Sequence, residues 1–578
     1  MLTSRKTVCG VVINKLRSCS SVSTSHELPS SFRDSIHRKG FGSFHSEDVE
    51  VLIRDTDQKS LHAMLPRVYS DIELQFEEDV EVALAQGSKT GFHSLFGIND
   101  WGSVCSSPHP EEFTFLNHGA FGGALSPVLK ASHSLRAHCE AQPLRFFDRE
   151  LFPLVVHSLH HLARVLGCSS TELFPLVNVT TGMNCVLNSV LGQAARNPTR
   201  KTVVLYLSLT YGSTKKIVQH TVCRHNEISG ATSPPIRHQM VDIPLPIRDP
   251  EADIVAAIAG SMIESDTQYI LIVDAVTSNT AVALPVVEIA RACRAAHPSA
   301  VIVVDAAHSL FAQDIQLYTN SEAKSKTGAS CLGPPSGERK QDLADSVDFY
   351  LTNCHKWFCG GKGAAVMWAH PRHHGVLEPA VVSHGYSPAA GAGGDAGTSP
   401  GGRLLSGFIW DGCRDYTSLV CAPMVSAAWV RVNRCLVPPW PPPATPGPVS
   451  LALDLDVGHI RAHNRVTLLE GRALLMHSWG LTEADMPYPP GVLTQSSPMT
   501  LVPVPAFLEE KMGRAMSVSA AGWTDAHSFA LQEWLHHHKR IEVPVKGICD
   551  KGYFRISAHL YNDASDYGRL ADAVLSLC

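Results

Sequence analysis

The sixteen cysteines include no C-x-x-C pair and follow no regular spacing. That excludes the usual zinc modules and a disulfide framework, and fits free thiols in a reducing compartment. No uncharged apolar run reaches the roughly 18 residues that a membrane-spanning helix needs; even YILIVDAVTSNTAVALPVVEIA is broken by Asp274 and several polar residues. A transmembrane helix is not expected. Basic residues form no long patch, and the formal charge is only −6 over 578 residues, so nucleic acid is not an expected partner. Acid is missing from the first 26 residues, which carry Arg5, Lys6, Lys15 and Arg17 among many Ser and Thr. This composition suits an organelle transit peptide and equally an ordinary unstructured terminus. A cytoplasmic location is expected, with mitochondrion or plastid as the alternative.

What is present is the balance of a globular chain with a large core, 44% hydrophobic and 18% charged, long enough for two or more domains. Residues 27–110 are more acidic and show no strong pattern. From about 113 to 375, apolar runs rich in Val and Ile alternate with helix-like stretches, as a mainly parallel α/β sheet requires. Strands are expected at 202–208, 269–275, 300–307, 347–353 and 363–369, and their near-continuous apolarity implies burial on both faces. PVVEIARACRAAH, 285–297, places Val287, Ile289, Ala290 and Cys293 on one helical face and reads as a crossover helix. Three Gly-, Ser- and Pro-rich inserts, about 319–342, 386–403 and 437–448, read as surface loops. The expected organisation is an extension (1–112), a large α/β domain (113–385), an insert-rich connection (386–448) and a smaller α+β domain (449–578).

Three constellations carry chemistry. In AVIVVDAAHSL a buried strand ends in Asp305, with His308 three residues on; a carboxylate there sits where open α/β sheets bind ligands, although alone it reads equally as a helix cap. NVTTGMN sets Thr180, Thr181 and Gly182 before a helix-like run, an anion site suited to phosphate. NCHKWFCGGKG places Lys356 after a strand and before a glycine-rich turn, where burial turns an amine into a carbonyl nucleophile. Lys362, in that turn, reads as an ordinary exposed lysine. Cradle, acid and lysine are the three groups that pyridoxal phosphate requires.

In order and wording, FLNHGAFG, NVTTGMN, VVDAAHSL, NCHKW and FRISAHLYN resemble class V aminotransferases of the fold-type I pyridoxal-phosphate enzymes, most of all the isopenicillin N epimerase and hercynylcysteine sulfoxide lyase branch. The resemblance covers about 113–578. It implies a seven-stranded, mainly parallel α/β domain with a smaller α+β domain, and a homodimer. It implies Lys356 as the Schiff-base lysine, Asp305 at the pyridinium nitrogen and His308 at the phenolic oxygen. Thr180 and Thr181 would hold the phosphate with the help of His355; Tyr211 would stack on the ring, and Ser278 and Asn279 would lie near its oxygen. Arg555 would take the substrate α-carboxylate, with Asn117, His118 and Arg145 shaping the pocket. No metal is implied. The family's W-x-G-T motif reads WDGCRD here, with Cys413 after Gly412, which leaves a thiol where a hydroxyl reaches the neighbouring subunit's cofactor.

The implied activity acts at Cα and Cβ of an amino acid, a small-molecule substrate, as a C–S lyase by β-elimination or as an epimerase. Cysteine desulfurase and true aminotransferase are alternatives, the first hindered because the nearest thiol to Arg555, Cys549, lies too close to it in sequence. A catalytically dead binding protein is the alternative of another class.

Overall fold

The acidic segment that shows no strong pattern holds three helices, α1 (Val49–Asp55), α2 (Gln58–Met64) and α3 (Arg67–Ala85). Tyr69, Ile72, Phe76, Val80, Ala83 and Leu84 are buried on one side of α3 at helical spacing. That face packs on α4 (Ser126–Ala141), while α1 and α2 pack on α5 (Leu151–Leu166). The computed structural model describes residues 49–86, 92–98, 112–196, 200–229, 235–317, 341–343, 346–386, 404–436, 457–489, 497–515 and 522–578. All belong to Ser46–Cys578, the second of two units into which the chain divides. The candidate transit peptide lies outside these residues, as do nearly all of the three inserts.

The expected strands form one sheet: β1 (Leu173–Leu176), β2 (Lys201–Leu207), β3 (Arg237–Val241), β4 (Thr267–Asp274), β5 (Val301–Asp305), β6 (Phe349–Asn353) and β7 (Ala365–Ala369). Their order is β1-β7-β6-β5-β4-β2-β3, with β7 antiparallel to both neighbours and every other pair parallel. The central strands are buried along their length because helices, α6 (Val179–Ala195), α7 (Gly212–Ser229), α8 (Pro250–Ser261) and α9 (Val286–Ala296) among them, cover the sheet. The two strands beyond the sequence pattern are the outermost ones. β1 carries Pro175, tolerated at an edge because it need not donate there, and β3 is exposed at all but its last residue.

After α10 (Ala422–Cys435) and α11 (Gly458–Ser478), a small antiparallel sheet follows the order β8-β10-β9, from β8 (Met499–Pro503), β9 (Val545–Ile548) and β10 (Lys551–Ser557), with α12 (Ala564–Leu575) packed on α11. Two links fix its place beside the large sheet. Thr114–Phe115 pairs in parallel with Ile541–Glu542, and the Ser557 N–H donates to Leu116 O at 3.1 Å. They bring the segment around Asn117 and His118 against β10, where Arg555 lies.

Candidate active site

Parallel strands aim their carboxyl ends at one edge, and here that edge carries two acids and an amide. Asp274 ends β4, Asp305 ends β5 directly across from it, and Asn353 ends β6. All three line a cavity of about 170 Å³, together with Thr180, Tyr211, Ser278, His308, His355 and Lys356. Asp305 accepts from the Thr214 hydroxyl and from the Ala307 N–H, each at 3.2 Å. Asp274 Oδ1 accepts the Tyr211 N–H at 3.3 Å, while its Oδ2 is buried without a partner. Burial raises the pKa of both acids, and the charge of Asp305 raises Asp274 further.

Lys356 follows β6 by three residues and reaches back over this edge. Its Nζ lies 3.2 Å from His308 Nε2, and the Trp357 indole donates to His308 Nδ1 at 3.3 Å. An indole N–H can only donate, so Nδ1 is the acceptor and the single proton of the neutral ring sits on Nε2. That proton points at the Lys356 nitrogen, which must offer a lone pair. The contact therefore describes a free amine. Burial lowers the Lys356 pKa to about 8, Arg555 pushes the same way, and Asp305 and Asp274 oppose; burial also holds His308 well below its ordinary value.

The lysine backbone is held from behind. His118 Nε2 lies 3.1 Å from the Lys356 carbonyl, which only accepts, so His118 carries its proton there and takes the Tyr561 hydroxyl on Nδ1 at 2.8 Å. Gly122 passes so close that a Cβ would stand 2.2 Å from His355 O and 2.8 Å from Lys356 Cα, and its φ is +69°. Lys362 is exposed and donates to Gly122 O at 3.1 Å. His118 is thus fully buried beneath the lysine and outside the cavity wall.

At the other end of the cavity α6 begins. Asn178 caps it by accepting the Thr181 N–H at 2.8 Å and the Thr181 hydroxyl at 3.1 Å, and Asn353 accepts the Val179 N–H at 3.1 Å. Thr180 is on the cavity wall, and the Thr181 hydroxyl donates to the cap. His355 lines the cavity with its Nδ1 buried and unpartnered; burial, then Lys362 and Lys356, lower its pKa to about 4.

Arg555 is buried, and among the described residues no carboxylate pairs with it. Its fork is held by neutral oxygens, Ser278 O at 2.5 Å, Ser278 Oγ at 3.4 Å and Asn117 Oδ1 at 3.1 Å. Burial lowers its pKa to about 10. Asn117 donates onward to Glu542 at 3.2 Å, so it orients the guanidinium from outside the cavity. Tyr211 and Ser278 line the cavity; Asn279 is exposed and does not. Arg145 pairs with the buried Glu150 at 2.6 Å, away from the cavity wall.

Cys413 is exposed, next to Gly412 at φ +113°. Cys549 is exposed at the tip of the β9–β10 hairpin, where its φ of 48° and the 60° of Asp550 form a two-residue turn. One buried cluster, His118, Cys359 and His559, has metal-like proximity. His559 Nδ1 accepts the Leu560 N–H at 2.9 Å, so its Nε2, like that of His118, carries a proton and has no lone pair for a metal.

The residue that sequence reasoning missed is Asp274, whose YILIVDA ends like the VIVVDAA of Asp305. Thr214, Asn178 and Asn353 were also missed, as a lone polar residue beside a helix or strand end carries no signal of its own. Taken together, a free amine, a strand-end acid, helix N-terminal donors and two orphaned polar atoms, His355 Nδ1 and Asp274 Oδ2, fit a phosphorylated ring aldehyde with a basic nitrogen.

No protein-family model matches the chain. It is 25% identical over 489 residues to the probable chloroplastic L-cysteine desulfhydrase of Arabidopsis thaliana, covering 82% of this chain and 84% of the relative. It is 26% identical over 467 residues to the isopenicillin N epimerase of Streptomyces clavuligerus, covering 80% and 94%. Among solved structures, the cystine C–S lyase C-DES in complex with cysteine persulfide matches at TM-score 0.53 and 16% identity, over 81% of this chain and 98% of that one. A cysteine desulfurase from Thermococcus onnurineus matches at 0.52 and 14%, over 80% and 94%. The structural likeness establishes a shared fold.

Proposed function

The chain belongs to the class V aminotransferase-like family of fold-type I enzymes, and from that premise we propose that it is a pyridoxal-phosphate-dependent C–S lyase acting on a small sulfur amino acid. The observation that carries this is Lys356 against His308 in a cavity that Asp305 also lines, with a buried Arg555 on the cavity's Ser278 that no carboxylate pairs with among the described residues. Lys356 would carry the cofactor, Asp305 would accept from its ring nitrogen, and Thr180 and His355 would hold its phosphate. Tyr211 would cover the ring, and Ser278 and His308 would stand near its oxygen. When bound, the cofactor supplies an electron sink for a bond broken at Cα.

The chain's own residues would do the rest. Arg555, held open by Asn117 and Ser278, offers two parallel N–H donors to the substrate carboxylate, and burial strengthens that contact. Lys356 Nζ, with its lone pair set by the His308 N–H, is the base for the Cα proton. Asp305 keeps its charge where a cationic N–H can meet it.

Elimination is favoured over persulfide transfer because the latter needs a protein thiol. No cysteine lines the described cavity, and Cys549 is fixed in a hairpin turn. The desulfhydrase relatives support sulfide release. Epimerisation is the second reading, supported by the epimerase relative, which is covered over nearly its whole length. A homodimer is the expected assembly, supported by the fold and by Phe121, 73% exposed at the cavity wall. The cytoplasm is the expected location, with an organelle as the alternative given the basic N-terminus and the chloroplastic relative.

The test is to incubate the holoenzyme with L-cysteine and cysteine S-conjugates. Pyruvate together with sulfide or thiol supports the lyase. Cα proton exchange without keto acid would transfer the assignment to an epimerase, and a protein that cannot take up pyridoxal phosphate would remove both.

A further inference from the structure

Asp274 lines the cavity with one buried oxygen unpartnered, and its surroundings say more about its state. It lies in register with Asp305 on the neighbouring parallel strand, about 4.8 Å away across the sheet. Both side chains are buried and both line the cavity. Their hydrogen bonding differs. Each oxygen of Asp305 has a donor, Thr214 for one and Ala307 for the other. Asp274 takes the Tyr211 N–H on Oδ1 and leaves Oδ2 buried without a partner. A bare, buried, charged oxygen beside a second carboxylate is costly twice over, by desolvation and by repulsion. The cations that face the pair do not remove this cost. Lys215 on α7 turns its ammonium to Ser208 O at 2.6 Å, and Lys356, its pKa lowered to about 8, is directed at His308 rather than at Asp274.

We propose that Asp274 and Asp305 act as one acid pair with a single negative charge, the proton residing on Asp274 Oδ2, so that Asp274 is a positioning residue that keeps Asp305 ionised. Two carboxylates this close do not both ionise in a buried site. The proton belongs on the oxygen without donors, and the charge on the residue whose two oxygens are both served. One charge then matches the one cationic N–H that Asp305 is read to meet. The function assigned to the pair rests on that reading; the shared proton does not.

The experiment uses the full-length protein without cofactor. Infrared difference spectra follow the carbonyl band of protonated carboxylic acids from about pH 5 to 10 in wild type, Asp274→Asn and Asp305→Asn. The difference between wild type and D274N isolates Asp274 from other acids such as the half-buried Glu73, whose pKa is raised to about 7. A protonated band at neutral pH that D274N removes is expected. In D305N the midpoint of that band should fall, because the neighbouring charge that opposes ionisation is gone; a purely structural Asp274 would not respond. A wild type without the band at neutral pH, or a midpoint unmoved in D305N, overturns the proposal. Both outcomes are read even if D274N fails to fold. Failure of wild type to bind pyridoxal phosphate would defeat the enzyme reading and leave the infrared result standing.

Discussion

The decisive atom is the nitrogen of Lys356, and its state depends on a neighbour's tautomer. Trp357 fixes His308 with the proton on Nε2, which leaves Lys356 as the acceptor. Trp357→Phe frees Nδ1 for the proton, lets Nε2 accept from an ammonium, and should raise the Lys356 pKa. The rate at which apoprotein takes up pyridoxal phosphate should rise with pH through a midpoint near 8 in wild type, as the amine loses its proton, and through a higher midpoint in the variant. Arg555→Lys removes the fork but keeps the charge, and should lower kcat/KM for an amino acid by about 10- to 100-fold, the equivalent of roughly 1.5–3 kcal/mol. Substrate kinetics check this. Lys356, Asp305 and Arg555 were legible because each stands in a motif. Asp274 was not, since one strand-end acid reads as a cap and only the register of two strands turns it into half of a pair. For a related reason, a sequence gives the neighbours of His118 and Arg145 along the chain, but not that Lys356 O and Glu150 lie across from them.

Among elements, the turn at Gly122 presses against the peptide of Lys356. Gly122→Ala combines a left-handed φ with a 2.2 Å clash on backbone and should cost about 2–5 kcal/mol and displace the lysine. Gly363→Ala shares the left-handed φ, +84°, but meets open space, and about 1–2 kcal/mol is expected. Thermal or denaturant unfolding of the two variants separates strain from clash. Asn178→Ala removes the cap of α6 and should cost about 1 kcal/mol. The central strands were legible because burial on both faces demands unbroken Val and Ile. The outer pair was not: Pro175 interrupts β1, and β3 faces solvent almost throughout.

At the scale of the molecule, the small sheet brings Arg555 against Ser278, and Ser278 lines the same cavity as Lys356 of the large one. The helices before residue 112 add to this core. Phe76, buried between α3 and its neighbours, should cost about 3–5 kcal/mol when truncated to Ala, read from unfolding. Light scattering of the purified protein should give twice the chain mass of 62.5 kDa for the proposed homodimer. The central claim, that Lys356 is the lysine prepared for a carbonyl, is tested most directly by borohydride reduction of the holoenzyme followed by peptide mass mapping. A phosphopyridoxyl label on Lys356, absent after Lys356→Ala, is the predicted result. A label on Lys215 or Lys362 instead, or none at all, would contradict it.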